Sequence, residues 1–97
     1  MNGPGGVMAP VARRMVVSGR VQGVGYRDSC RRRAQQLEVS GWAANRADGS
    51  VEIHIEGEEP AVDAMVLWCR AGPRWAKVRD STVADVALLG LTGFDVR

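Results

Sequence analysis

Hydrophobic and polar positions change period several times along the chain, and each change marks an element. Residues 13–18, RRMVVS, bring β-branched apolar residues together and predict a strand. A glycine-rich loop follows, GRVQGVGYR from Gly19 to Arg27. From there Tyr26, Cys30, Ala34 and Leu37 recur at steps of four, four and three, one face of a helix, with Arg31, Arg32 and Gln35 largely on its wet side. Residues 40–47, SGWAANRA, predict a second strand, and Asp48-Gly49 predicts a two-residue hairpin turn. SVEIHIEG then alternates, with Val51, Ile53 and Ile55 on one face and Glu52, His54 and Glu56 facing outward on the other. Pro60 suits the first turn of a second helix, PAVDAMVLWCRAG, whose Ala61, Met65, Trp68 and Gly72 share a stripe and which stops at Gly72-Pro73. Residues 76–86 predict a fourth, somewhat irregular strand, and GFDVR a short last one.

The resulting order, β-α-β-β-α-β plus a terminal strand, predicts an α+β fold of the ferredoxin-like, split βαβ kind. It is expected to be an antiparallel sheet of four to five strands with two helices on one face. The Gly- and Pro-rich start, residues 1–11, reads as a flexible tail, leaving 12–97 as a single domain. This fold serves enzymes, RNA readers and regulatory modules alike, so function has to be read from a site.

Composition narrows the classes. With 97 residues the chain suits one domain with a small core. A net charge of +2 is too small to demand nucleic acid or an anionic membrane as partner. No apolar run reaches transmembrane length, and the N-terminus lacks the charged start and apolar core of a signal peptide. Cys30 and Cys69 form no CxxC pair and lack histidines at metal spacing, so free, buried thiols in a reducing cytoplasm are expected. His54 is the only histidine, which leaves little material for a zinc site or a histidine-based triad. Neither a metal nor a cofactor is expected.

The glycine loop carries the first candidate chemistry. A chain turning sharply into a helix N-terminus points several unpaired N–H groups at one place, and the helix dipole adds positive charge there. Glycine lets a tetrahedral oxyanion approach without meeting a Cβ. Arg27, in the first turn, is close enough to fork onto two oxygens. The same spacing also fits a tight connection whose glycines only permit positive φ, with Arg27 a solvated charge. A Walker loop is excluded because the segment has no lysine, and a dinucleotide loop because Asp28 stands where its third glycine belongs.

GWAANRADGSVE supplies the second candidate. Asn45 stands near the end of the second strand and shares pleat parity with Gly41 and Ala43, opposite to Trp42 and Ala44. If that strand runs beside the loop-feeding strand, or next but one to it, Asn45 reaches the space above the loop. An Asx-type cap of the hairpin is the other role open to it.

At these residues the chain resembles acylphosphatases. Gly19, Val21, Gln22, Gly23, Val24, Tyr26 and Arg27 match the family's Gly-x-Val-Gln-Gly-Val-x-aromatic-Arg loop. Gly41, Trp42, Asn45, Asp48, Gly49, Val51 and Glu52 match its second signature, and the resemblance runs from about Arg13 through Gly72-Pro73, Ala76-Lys77-Val78 and Phe94–Arg97. Trp75 departs from it, standing where the family usually has a smaller residue. The resemblance implies hydrolysis of acyl phosphates. Phosphate would be held by Arg27 and the loop Gln22, Gly23, Val24, Gly25 and Tyr26, and Asn45 would orient the attacking water. It also implies a small-molecule acyl phosphate as substrate, with inorganic phosphate as product and inhibitor. The expected protein is a cytoplasmic monomer that engages neither nucleic acid nor membrane.

Such a site, without histidine, metal carboxylates or an activated nucleophile, suits a narrow reaction. An acyl phosphate expels a carboxylate, whose conjugate acid has a pKa of about 4, so no proton need be supplied to the leaving group. The alternative is a non-catalytic ferredoxin-like module that binds an anion or RNA. Against RNA stand Glu52, His54 and Glu56, which on an outward sheet face would repel phosphate and stack poorly.

Overall fold

The computed structural model describes residues 9–97. Its elements are β1 (Pro10–Arg20), α1 (Tyr26–Leu37), β2 (Ser40–Asn45), β3 (Val51–Glu58), α2 (Glu59–Ala71), β4 (Lys77–Val86) and β5 (Phe94–Val96). Residues 1–8 of the expected tail lie outside the described residues, while Pro10 and Val11 already belong to β1 and pair with Glu58 and Gly57.

The strands lie in the order β4-β1-β3-β2-β5. The first four are antiparallel neighbours, as expected for a split βαβ sheet. The expectation of a wholly antiparallel sheet fails at β5, which pairs parallel to β2 through Gly41–Phe94, Trp42–Asp95 and Ala43–Val96. Register gives the reason. Val86, Ala12, Glu56 and Ser40 form one row across the sheet, so β4 ends where β2 begins. A chain crossing under the sheet at that row can only climb the far edge in the direction of β2.

Both helices cover one sheet face. Met15, Val17, Val51, Ile53 and Ile55 point into a core closed by Tyr26, Cys30 and Ala34 of α1 and by Val62, Met65, Val66 and Cys69 of α2. The expected face of α1 is the face it buries. On α2 the buried stripe is Val62, Met65, Val66 and Cys69, so of the expected Ala61–Met65–Trp68–Gly72 line only Met65 is fully buried, and the other three lie along the flank of the stripe. Trp68 is only half-buried there and stacks on Tyr26 at 6.2 Å. Cys30 and Cys69 are free and buried. A hydrogen bond with Cys30, with burial next, pushes the Cys69 thiol well above its ordinary value.

The other face is not the open polar surface the alternation predicts. His54 is 0 % and Glu56 5 % exposed. Trp42 stacks on His54 at 5.9 Å, and the Arg14 guanidinium lies 4.9 Å above the Trp42 ring. Arg14 Nε donates to His54 Nδ1 at 3.0 Å, which leaves Nε2 as the protonated nitrogen facing Glu56 Oε2 at 2.7 Å. The crossing segment then lays the N–H groups of Leu89, Gly90 and Leu91 on the Glu56 carboxylate. Burial pushes the Glu56 carboxyl up, but the bonds from His54, Leu89 and Leu91 outweigh it and hold the group below its usual value. Residues 87–91 thus form a strap fastened to β3 by a single anion.

Candidate functional site

Gly23 and Gly25 both adopt φ +76, the left-handed conformation that L side chains resist. They sit at the end of β1, where the chain must reverse into α1. Gly25 is the N-cap of α1 and offers no side chain to its first turn, and its own carbonyl accepts the Ser29 N–H at 3.0 Å. The first-turn N–H groups therefore open onto a cavity of about 300 Å³ lined by Val21, Gly23, Gly25, Tyr26, Arg27 and Asp28, with Val96 from β5. A Cβ at Gly23 would meet nothing within 4 Å, so the space over the loop is open to a ligand. Asp28, the one carboxylate at its rim, is drawn along the helix by Arg31 at 2.9 Å and Arg32 at 3.9 Å.

The loop residues divide by role. Tyr26 is fully buried and its hydroxyl donates to the Cys69 carbonyl at 2.7 Å, so only its backbone faces the cavity; burial pushes its phenol far above the ordinary value. Val24 packs half-buried against the core. Gln22 turns away from the cavity. Its Nε2 donates to the carbonyls of Arg46 at 2.8 Å and Ser50 at 2.9 Å, which ties the loop to the β2–β3 connection.

Asn45 ends β2, paired with Val51. The strand stops there, two residues earlier than the sequence predicts, because Arg46 N–H bonds the Ser50 carbonyl at 2.8 Å and closes a five-residue turn. Asp48 caps that turn: its Oδ1 accepts from Ser50 N–H at 3.0 Å and from Ser50 Oγ at 2.5 Å. The Ser50 hydroxyl bond, followed by the backbone one, lowers the Asp48 carboxyl from its ordinary value. With Asp48 in the capping role, Asn45 is exposed at the strand end. By pleat alternation it leaves the sheet on the side of Ala43, which is buried in the core beneath the helices.

Of the two arrangements open to β2, the structure adopts the one with β3 between it and β1. Two bridges span that gap. Gln22 is one. The other runs through β5: the Arg97 N–H donates to the Ala43 carbonyl at 2.8 Å, and Arg27 Nη1 donates to the main-chain oxygen of Arg97. Arg27 is thereby anchored two residues from Asn45 along the β2 edge, beside the open first turn of α1. The contributions of Gln22 and Arg97 as braces escape sequence reasoning, since each joins distant positions; Gln22 appears there only as a loop residue.

Comparison with known proteins agrees on one family. A family model described as Acylphosphatase matches residues 13–96. The chain is 53% identical over 85 residues to an acylphosphatase of Rubrobacter xylanophilus, covering 87% of this chain and 77% of the relative. To one of Synechococcus sp. it is 46% identical over 84 residues, covering 87% and 93%. The crystal structure of acylphosphatase from Bacillus subtilis matches with a TM-score of 0.86 at 38% identity, over 90% of this chain and 98% of that one.

Proposed function

This chain belongs to the acylphosphatase family and is an acyl phosphate hydrolase, and from that premise we propose how its residues divide the work. The phosphoryl group sits over Gly23 and Gly25, held by the first-turn N–H groups of α1 and by the Arg27 guanidinium. Asn45 accepts a hydrogen bond from water through its amide oxygen and aims it at phosphorus. As the water oxygen bonds to phosphorus, the acyl C–O–P bond breaks on its phosphorus side. The carboxylate leaves with the electron pair and the water proton passes to phosphate or solvent. The transition state of phosphoryl transfer is loose, with charge on the equatorial oxygens, so oriented N–H groups and one guanidinium supply the stabilisation it needs. Because the leaving group is a carboxylate, the step asks for neither a general acid nor a metal.

The observation that carries this reading is the bridge from Arg27 through Arg97 to Ala43, which anchors the anion-binding arginine beside the strand end that bears Asn45. Against an RNA module stands the far sheet face, where bases would stack: here Arg14, Trp42, His54 and the 87–91 strap cover it. The two free, buried thiols suit a reducing compartment. We place the enzyme in the cytoplasm as a monomer that takes a small acyl phosphate and is inhibited by its product, inorganic phosphate.

The test separates the two roles. Arg27→Ala, and also Arg27→Lys, should lose phosphate affinity and turnover together, because a point charge cannot reproduce a planar fork. Asn45→Ala should keep phosphate inhibition near wild type while turnover falls by roughly 10²-fold or more, the scale of lost positioning. Full turnover of Asn45→Ala on a small aromatic acyl phosphate would defeat the assignment.

A further inference from the structure

Trp75 has no part in the chemistry proposed above. It is 52 % exposed, and its indole Nε1 lies 3.9 Å from where a Cβ on Gly25 would stand. The ring therefore borders the loop at its exit into α1. It is held there by a turn in which the Ala76 N–H bonds the Pro73 carbonyl at 3.0 Å, with Arg74 and Trp75 at its tip.

Beyond Trp75 lies a second cavity of about 300 Å³, walled by Ser29, Arg32, Arg33, Trp68 and Arg74. Gly25, Ser29, Arg32 and Gln36 recur at steps of four, three and four, so this groove follows one face of α1 away from the phosphate loop. Ser29 is one helical turn, about 5.4 Å, past Gly25.

The groove is positive and incompletely neutralised. Arg32 donates to Ser29 Oγ at 3.1 Å and keeps only a 3.9 Å contact with Asp28. The Arg33 guanidinium lies 5.6 Å above the Trp68 ring. Among the described residues neither Arg33 nor Arg74 has a carboxylate within 4.0 Å. Three guanidiniums, two of them with no carboxylate partner among the described residues, between two indole walls, suit a short hydrocarbon that ends in a negative charge.

Resting on the hydrolase reading above, we propose that this groove is a subsite for the acyl group. It selects acyl phosphates whose acyl part carries a second anion at the end remote from the phosphate, as in the monoacyl phosphate of a four-carbon dicarboxylic acid. With phosphate in the loop, the acyl carbon emerges past Gly25 and Trp75, and two methylenes carry the remote carboxylate into the field of Arg74 and Arg32. These arginines stay clear of the bond that breaks. Their effect belongs in binding and in kcat/KM.

The experiment compares succinyl phosphate with butyryl phosphate, which has the same chain length and a methyl in place of the carboxylate. The wild type should favour succinyl phosphate in kcat/KM by roughly fivefold, the scale of two half-exposed ion pairs. That preference should shrink in about 1 M salt, where the screening length is only a few ångströms. Arg74→Gln should bring the ratio towards one through a higher KM for succinyl phosphate, and Trp75→Ala should raise KM for both compounds by removing a wall they share. Equal kcat/KM for the two compounds in the wild type, or a ratio unmoved by Arg74→Gln, would overturn the subsite and leave the hydrolase reading standing. Hydrolysis of neither compound would overturn both.

Discussion

Gln22 Nε2 donates to the carbonyl of Arg46 at 2.8 Å, one residue past Asn45, and so couples the glycine loop to the strand end that carries the Asn45 amide, to which we assign the orientation of water. Gln22→Ala should therefore lower turnover more than it weakens phosphate inhibition. Its loss of two hydrogen bonds should cost about 1–2 kcal/mol of stability. Gln22→Glu should be worse, because a carboxylate cannot donate to the two carbonyls it would face. Equal losses of turnover and phosphate affinity in Gln22→Ala would show that the side chain serves the anion directly.

Phosphate should protect the fold. A ligand held only by the folded loop raises the melting temperature in proportion to the logarithm of its concentration above the dissociation constant. Thermal melts across a phosphate series should show this in the wild type and show it abolished in Arg27→Ala. A shift that survived Arg27→Ala would put the anion elsewhere.

Gly41 should tolerate no side chain. Its φ is +149, and a Cβ there would stand 1.7 Å from the His54 carbonyl oxygen, within the β2–β3 ladder. Gly41→Ala should lose at least about 3 kcal/mol, the range reserved for backbone clashes and strained conformations. Gly23, with open space around it, should lose less stability on the same change. Denaturant midpoints of the two variants rank them.

Acid should loosen the strap. The Glu56 carboxyl sits below its ordinary value of 4.5 in the folded chain, so its anion stabilises the fold above pH 4.5 and that contribution is lost as pH falls through the lowered value. Glu56→Gln should be less stable than wild type at neutral pH, and the gap should narrow below pH 4.5. A gap that stayed constant through the acid range would mean that shape, and not charge, holds residues 87–91.

The parts of this architecture that were legible in advance are those written in local periodicity. Tyr26, Cys30 and Ala34 repeat at helical spacing and all three are buried. The alternation of β3 placed Val51, Ile53 and Ile55 in the core. What lay on the other side of β3 was not legible, because the segment that covers it, Leu88–Leu91, has no period of its own. It is placed by backbone N–H groups meeting a carboxylate more than thirty residues away in sequence. The direction of β5 was hidden for a similar reason, since it follows from the register of β4 and not from any pattern in Phe94–Val96. Residue types and spacing single out the loop and Asn45 as candidates, whereas the braces at Gln22 and Arg97 are contacts between distant positions and leave no local trace.

The tie between Arg27 and the main-chain oxygen of Arg97 spans a sequence separation of 70, and this sets an order of events for a refolding chain. The β2–β3 hairpin and α1 draw on near neighbours and should form early, whereas β5, which pairs with the outer edge of β2, should join after β4 has paired with β1. Loop closure over such distances is slow. Catalytic competence should thus lag behind the gain of helix and sheet, because Arg27 acquires its backbone acceptor only when the most distant part of the sheet has closed.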